Sequence, residues 1–260
     1  MDASMWVAKT GLDAQQTRMA VISNNLANVN TAGFKRDRAL FEDLLYQNIR
    51  QAGGQTGVDT QAPTGMMLGT GTRVVATEKL HSQGSLINTE NALDLAIQGE
   101  GFFQILQPDG TLAYSRDGSF KLSNIGELVT STGARLQPPL TIPQNVSSLT
   151  IGADGTVSAQ LFGGGAQQLG NFQLARFLNP AGLEPLGQNL FRETAASGPP
   201  QVLQPAQNGA GRLVQGALEG SNVNVVEEMV NMIETQRAYE VNSKAISSAD
   251  GMLRFLNQNL

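Results

Sequence analysis

Very few side chains in this sequence are equipped for chemistry. Cysteine is absent, and histidine occurs once, at His81. Thiolate nucleophiles, disulfides and Cys-ligated metals are therefore excluded, as is a His-rich metal site. A His-bearing triad would rest on His81 alone. Lys9-Thr10-Gly11 has the residue types of a penicillin-recognising triplet, but no S-x-x-K or S-D-N accompanies it. Gly99-Glu100-Gly101 opens like a dinucleotide loop, yet Phe102-Phe103 stand where a helix must begin. Gly69-Thr70-Gly71 fails in the same way. Asp109, Asp117 and Asp154 are candidates for paired carboxylates or calcium ligands. Each precedes a glycine, and that pairing is turn chemistry. Trp6 and His81 belong to no constellation and read as buried or interface-edge residues. No catalytic residue, cofactor or metal ligand emerges, so the chain does not read as an enzyme.

What remains is a bias towards contact with other protein. Charged residues are 15% of the 260, the net charge is −5, and no basic stripe is present. Phosphate neutralisation, and with it nucleic-acid binding, is excluded. Asn and Gln together number 42 against 39 charged residues. An amide-rich surface of low charge packs on copies of itself without strong repulsion. No stretch approaches the roughly 20 apolar residues of a membrane span, and the start lacks the basic and apolar regions of a cleaved signal peptide. Composition by itself points to the cytoplasm.

The elements follow from periodicity. Near the start, Met5, Ala8, Leu12, Met19, Ile22, Leu26 and Val29 recur at steps of three and four, interrupted at Gln15. That is a heptad stripe, which needs a partner helix to bury it. Residues 1–30 are predicted to be one helix with Ser4 as N-cap, weakened by Gly11 at a cost of about 1 kcal/mol. At the other end Val225, Met232, Tyr239, Ile246, Leu253 and Leu260 fall seven apart, with Ala249 and Leu256 between the last three. Asn224 and Glu227 form an N-x-x-E start for this second helix. Asn24, Asn25 and Asn28 either terminate the first helix or hydrogen-bond across a helix interface.

Between the helices, residues 34–50 have partly helical spacing, and Lys35, Arg36 and Arg38 read as a solvated basic turn. Residues 51–71 read as a long Gly-rich loop. Residues 72–221 read as short strands. Leu93, Leu95 and Ile97 alternate with polar or small residues as a half-buried strand, and Asp-Gly and Asn-x-Gly turns recur roughly every eight residues. The predicted class is α+β: terminal helices forming a coiled-coil layer around a central all-β domain of barrel or sandwich type. The predicted domains are an assembly helix at 1–34, a connecting segment at 35–71, a β domain at 72–221, and a second assembly helix at 222–260 that pairs with 1–34.

Several of these stretches resemble one known family. Ser23-Asn24-Asn25-Leu26-Ala27-Asn28-Val29-Asn30-Thr31-Ala32-Gly33-Phe34-Lys35 is similar to the N-terminal signature of bacterial flagellar rod and hook proteins. Ser221-Asn222-Val223-Asn224, Glu227-Glu228-Met229-Val230 and Gln236-Arg237-Ala238-Tyr239-Glu240 resemble the C-terminal signature. Leu95 to Phe103 and Tyr114-Ser115-Arg116-Asp117-Gly118-Ser119-Phe120 resemble β-domain motifs. The resemblance spans essentially the whole chain and is strongest to the distal-rod members, with proximal-rod or hook-type axial subunits as the alternative.

The resemblance implies a structural subunit that self-assembles helically into a hollow, rigid drive shaft. It implies residence in the flagellar basal body, where the rod crosses the periplasm, which replaces the cytoplasmic reading. Export would be through the type III apparatus without a cleaved signal. The implied partners are copies of itself, proximal rod proteins, the hook protein, the P- and L-ring proteins, the rod cap and the export apparatus, with no nucleic acid and no small-molecule substrate. Asn24, Asn25, Asn28, Gly33 and Phe34 are carried over as family-motif residues. The stretch 46–71, with Tyr46, Pro63 and Gly69, is carried over as the segment that keeps the rod straight and stiff.

Overall fold

A computed structural model of the chain describes residues 3–53 and 63–258. Leu260, the side chain of Leu256 and the glycines at 54 and 57 lie outside the described part. The chain is α+β, with a helix at each end and β structure between them. It divides into two compact units. One comprises 1–26, 37–78 and 224–260; the other comprises 27–36 and 79–223.

The first unit holds both helices. Helix α1 (Ala3–Ala27) already includes Ser4 and Ala3, so Ser4 is not its N-cap. Helix α2 (Val225–Gln258) starts where predicted. Asn224 Oδ1 accepts from the backbone N–H of Val226 at 3.0 Å and of Glu227 at 3.4 Å. Two otherwise orphaned donors are thereby satisfied, and Glu227 and Glu228 complement the helix dipole in the first turn. Gly251 does not stop α2, which continues through it.

Residues 34–50 are not helical. They form β1 (Asp37–Asp43) and β2 (Tyr46–Arg50). The expected long loop is also partly strand: β3 (Met66–Gly69) pairs antiparallel with β2, and β4 (Thr72–Lys79) pairs with β1. The apolar residues of β2 and β3 mark no strand face, because no residue of either strand is buried.

The second unit buries a core of its own. Strand β5 (Leu86–Asn88) pairs with Ala217–Glu219, and β6 (Leu95–Gln98) pairs with Arg212–Gln215. The largest sheet is built around β7 (Phe102–Leu106). One edge of β7 carries β8 (Leu112–Ser115), and the other carries Arg135–Gln137 and Leu174–Arg176. A three-stranded sheet, 146–151, 156–161 and 166–171, completes the unit. Leu95, Ile97, Phe103, Phe120, Leu136, Val157, Phe172 and Leu174 form the main cluster. Phe102, Tyr114, Phe177 and Phe191 form a second, with edge-on ring contacts. The expected half-buried β6 is buried at Leu95, Ala96 and Ile97 alike, so it is enclosed on both faces.

The turns behave as their residues dictate. Gly110 and Gly155 take left-handed φ of +83° and +84°, and the preceding Asp109 and Asp154 accept from Thr111 and Thr156. These hydrogen bonds hold both carboxyls below the usual range. Gly118 is required for a different reason: a Cβ there would stand 1.7 Å from the Leu95 carbonyl oxygen.

Candidate assembly site

Two of the quoted motifs meet, just ahead of a third, on one buried charge cluster in the β unit. Lys35, which closes Gly33-Phe34-Lys35, places its Nζ 2.6 Å from Glu219 Oε1, with both side chains fully enclosed. Arg116 reaches Glu219 Oε2 from the other side at 3.2 Å. Lys35 Nζ also donates to the Ser82 carbonyl, and Glu219 Oε1 accepts from the Gly84 backbone. Burial pulls the basicity of both cations down, and Glu219 pulls it back up. Such a triad is destabilised strongly if one member is removed, because the others are left buried without a counter-charge.

Gly33 seats the segment. Its backbone N–H donates to the Glu219 carbonyl at 2.7 Å, and its φ is +71°. A Cβ would lie 2.6 Å from the Asp117 nitrogen, so both conformation and space demand glycine. Phe34 is buried, with Lys79 Nζ 4.9 Å above its ring. Asn222 locks the far end, accepting from the Arg36 backbone and donating to the Leu80 carbonyl. Chain stretches some 180 residues apart are thus tied to one point. Lys35 is therefore not part of a solvated turn. The sequence signal for the cluster was that Lys35 and Arg116 each sit inside a quoted motif, and Glu219 lies two residues before another.

His81 is packed beside this cluster. It makes edge-on contacts to Phe102 and Phe191 at 5.5 Å. Burial first, then the charges of Lys35, Arg116 and Lys79, push its pKa down to about 4.

In the helix unit, Asn25 resolves the two readings of the asparagine cluster. It is buried, and it brackets Asp37: its Oδ1 accepts from the Asp37 N–H at 2.8 Å, and its Nδ2 donates to the Asp37 carbonyl at 2.9 Å. The same Nδ2 lies 3.4 Å from Glu228 Oε2 on α2. Asn24 bonds the Asp37 carboxylate, and Asn28 accepts from the Thr31 hydroxyl beyond the helix end. Further along, Arg18 Nη2 is 3.5 Å from Asn231 Oδ1, and a Cβ on Gly11 would stand 3.0 Å from the Asn242 amide nitrogen. Numbers fall along α1 as they rise along α2, so the helices run antiparallel. The contacts between them run from Gly11, Arg18 and Asn25 to Asn242, Asn231 and Glu228, and Ala14 and Ile22 on α1 and Thr235 on α2 are buried too.

The predicted apolar seams sit differently. On α1, Ile22 is buried, whereas Met5, Ala8, Leu12, Met19 and Leu26 are half-buried, as is Val29 just past the helix end. On α2, Met232, Ile246 and Ala249 are half-buried, and Val225, Tyr239 and Leu253 are exposed. Val226, Met229, Val230, Ile233 and Val241 are exposed as well, Val226 at 71% and Val241 at 66%.

The stretch 46–71 contributes the β2–β3 pair. Tyr46 lies opposite Gly69 in the ladder, and a Cβ on Gly69 would touch the Tyr46 ring at 3.4 Å. Pro63 is exposed in a bend. Leu45, Tyr46, Ile49, Met66, Met67 and Leu68 are all exposed, an apolar load unusual for a two-stranded ribbon. Gly71 ends the segment against α1: a Cβ there would stand 2.1 Å from Thr10 Oγ1, which also accepts from the Thr72 N–H. The Lys9-Thr10-Gly11 triplet is thus a packing point for this segment and for α2.

Three family models match. Residues 5–35 match the flagella basal body rod protein family, residues 96–159 the D1 domain of the flagellar hook protein FlgE/F/G family, and residues 214–259 the C-terminal part of the flagellar basal body rod FlgEFG proteins. The flagellar basal-body rod protein FlgG of Buchnera aphidicola subsp. Schizaphis graminum is 55% identical, covering 99% of this chain and 100% of that one. FlgG of Borreliella burgdorferi is 47% identical over 99% of this chain and 98% of its own. The flagellar hook-basal body complex protein FlhP of Bacillus subtilis is 31% identical over 98% of both.

Proposed function

The chain belongs to the flagellar basal-body rod protein family and is a structural subunit of the distal rod in the basal body, and we propose that it builds the rod by stacking helically on copies of itself. The shaft would be hollow and rigid, carrying motor torque to the hook and passing export substrates through its bore. Residues 1–34 and 222–260 would form the inner coiled-coil layer. Residues 72–221, of barrel or sandwich character, would form the outer wall, and 46–71 would stiffen contacts between neighbours. Proximal rod proteins, hook protein, ring proteins and rod cap would meet it there after type III export without a cleaved signal. It would carry out no catalysis.

The observation that carries this reading is the apolar face left open on α2. Val226, Met229, Val230, Ile233 and Val241 are exposed, while the hydrogen bonds between α1 and α2 are made by Arg18, Asn25, Glu228 and Asn231. Each such side chain gains about 1.5–3 kcal/mol when fully buried, and an uncovered stripe of this length calls for a neighbour. Electron microscopy of basal bodies from cells lacking the chain tests it. The expected result is a short stub without distal shaft or hook, restored by the wild-type gene. A complete rod and hook would overturn the reading.

A further inference from the structure

His81 is the single histidine of the chain, and it stands on the segment that closes the charge cluster. That segment is held from both sides. The Leu80 N–H donates to the Arg36 carbonyl at 2.8 Å. The Ser82 carbonyl accepts from Lys35 Nζ at 2.8 Å, and the Gly84 N–H donates to Glu219 Oε1 at 2.9 Å. Asn222 Nδ2 donates to the Leu80 carbonyl and to the Ser82 hydroxyl. Residues 80–84 are thus a shared partner of the stretch that follows α1 and the stretch that precedes α2. The His81 ring is half-buried, but its Nδ1 is sealed from solvent and has no hydrogen-bond partner among the described residues. Lys35, Arg116 and Lys79 all oppose a positive ring, and a hydrogen bond to the Pro180 carbonyl works the other way. The carboxylates nearby are already engaged by cations. Glu219 is held between Lys35 and Arg116 at 2.6 and 3.2 Å. Glu100, which lines the same cavity as His81, faces Arg176 at 2.7 Å. While the segment is seated, a proton has no path to Nδ1 and would add a charge where cations are in excess.

We propose that residues 80–84 form an acid-operated latch: as pH falls below neutral, His81 takes up a proton from solvent with this segment lifted away from Lys35, Glu219 and Asn222, while the sheets of the β unit stay closed. The opening is local because it breaks only the few bonds named above. Strand β7, by contrast, is paired along both edges, and its Phe103 belongs to the main apolar cluster, so it opens only with the whole unit. Once lifted, the imidazole is solvated and titrates as an ordinary histidine. The seated ring takes its proton only near pH 4 instead of 6.5. Opening therefore gains nothing above 6.5 and grows as pH falls towards 4. What the latch releases is anchorage. Lys35 and Asn222 lose Ser82, the Arg36 carbonyl loses Leu80, and Glu219 loses Gly84.

The test is amide hydrogen exchange of the full, untagged chain by NMR at pH 7 and pH 5, each rate divided by that of the unstructured chain at the same pH. The Leu80 and Gly84 amides should lose about twentyfold in protection between the two, the factor that follows from the two titration points. The amides of β7 and β8 should hold theirs. Because the chain has one histidine, the imidazole C–H signals belong to His81. They should keep near-neutral positions at pH 5, where an ordinary histidine is almost fully protonated. His81→Phe keeps an aromatic ring beside Phe102 and Phe191 and has no proton to take up, so Leu80 and Gly84 should be equally protected at both pH values. Imidazole signals that titrate near 6.5 in the folded wild-type chain would show an open site and overturn the proposal whether or not the variant folds. So would unchanged protection at Leu80 and Gly84, an equal loss in β7 and β8, or the full loss in His81→Phe.

Discussion

The two units solve the same problem in opposite ways. The β unit closes on itself around two clusters of aromatic and aliphatic residues and an enclosed, paired set of charges, with Phe162 and Leu178 exposed at turns. The helix unit pairs α1 with α2 through Asn25, Glu228, Arg18 and Asn231, and leaves valines and methionines on the outside. A unit that hides its apolar surface behaves as a finished domain. One that spends its polar side chains internally and turns its apolar ones outward is half of an interface. The contrast separates substitutions that should damage folding from those that should damage assembly.

The largest folding effect is expected at Glu219. Glu219→Ala leaves Lys35 and Arg116 buried without their counter-charge, and a loss of about 3–5 kcal/mol is expected, read as a lower urea midpoint of the isolated chain. Gly33→Ala should follow. It forces a Cβ to within 2.6 Å of the Asp117 nitrogen at a φ of +71°, and a left-handed non-glycine residue alone costs about 1–3 kcal/mol. A wild-type midpoint in either variant would mean that the clamp contributes nothing to stability.

An effect of comparable size is expected from pH. The folded His81 has its pKa depressed from 6.5 to about 4. Between those values the unfolded chain binds one more proton than the folded one, so stability is fully present above 6.5 and is lost as pH falls towards 4. Urea melts across that range should show this slope, and His81→Phe should flatten it. The smallest effect is expected in the helix unit. Gly11→Ala gains helix propensity of about 1 kcal/mol but places a Cβ 3.0 Å from the Asn242 side chain. That amide ends a flexible chain and can give way, so a net gain of less than about 1 kcal/mol is expected, seen as a slight rise in helix melting temperature by circular dichroism.

What was legible in the sequence follows the same division. The helices, the Asn224 cap and the Asp-Gly turns were readable because each depends on neighbours within a few residues. The strand at 46–50 was not, because none of its residues is buried and no alternation marks it. The buried Lys35 was misread because its counter-charge, Glu219, lies 184 residues away and burial depends on tertiary structure. On α2 the heptad identified real apolar residues at Val225, Tyr239 and Leu253, but a period cannot say whether a stripe faces a helix of the same chain or is left open. Here Glu228, Asn231 and Asn242 touch α1, and these polar residues carry no hydrophobic signal.

The most direct test of the account is Val230→Lys, introduced in place of the wild-type gene. A lysine on this exposed position has Glu227 and Glu234 within helical reach, so the isolated chain should keep its wild-type urea midpoint. In cells, basal bodies examined by electron microscopy should end in a short stub without distal shaft. Full-length rods on a chain of unchanged stability would contradict the claim that the open face of α2 is an assembly surface.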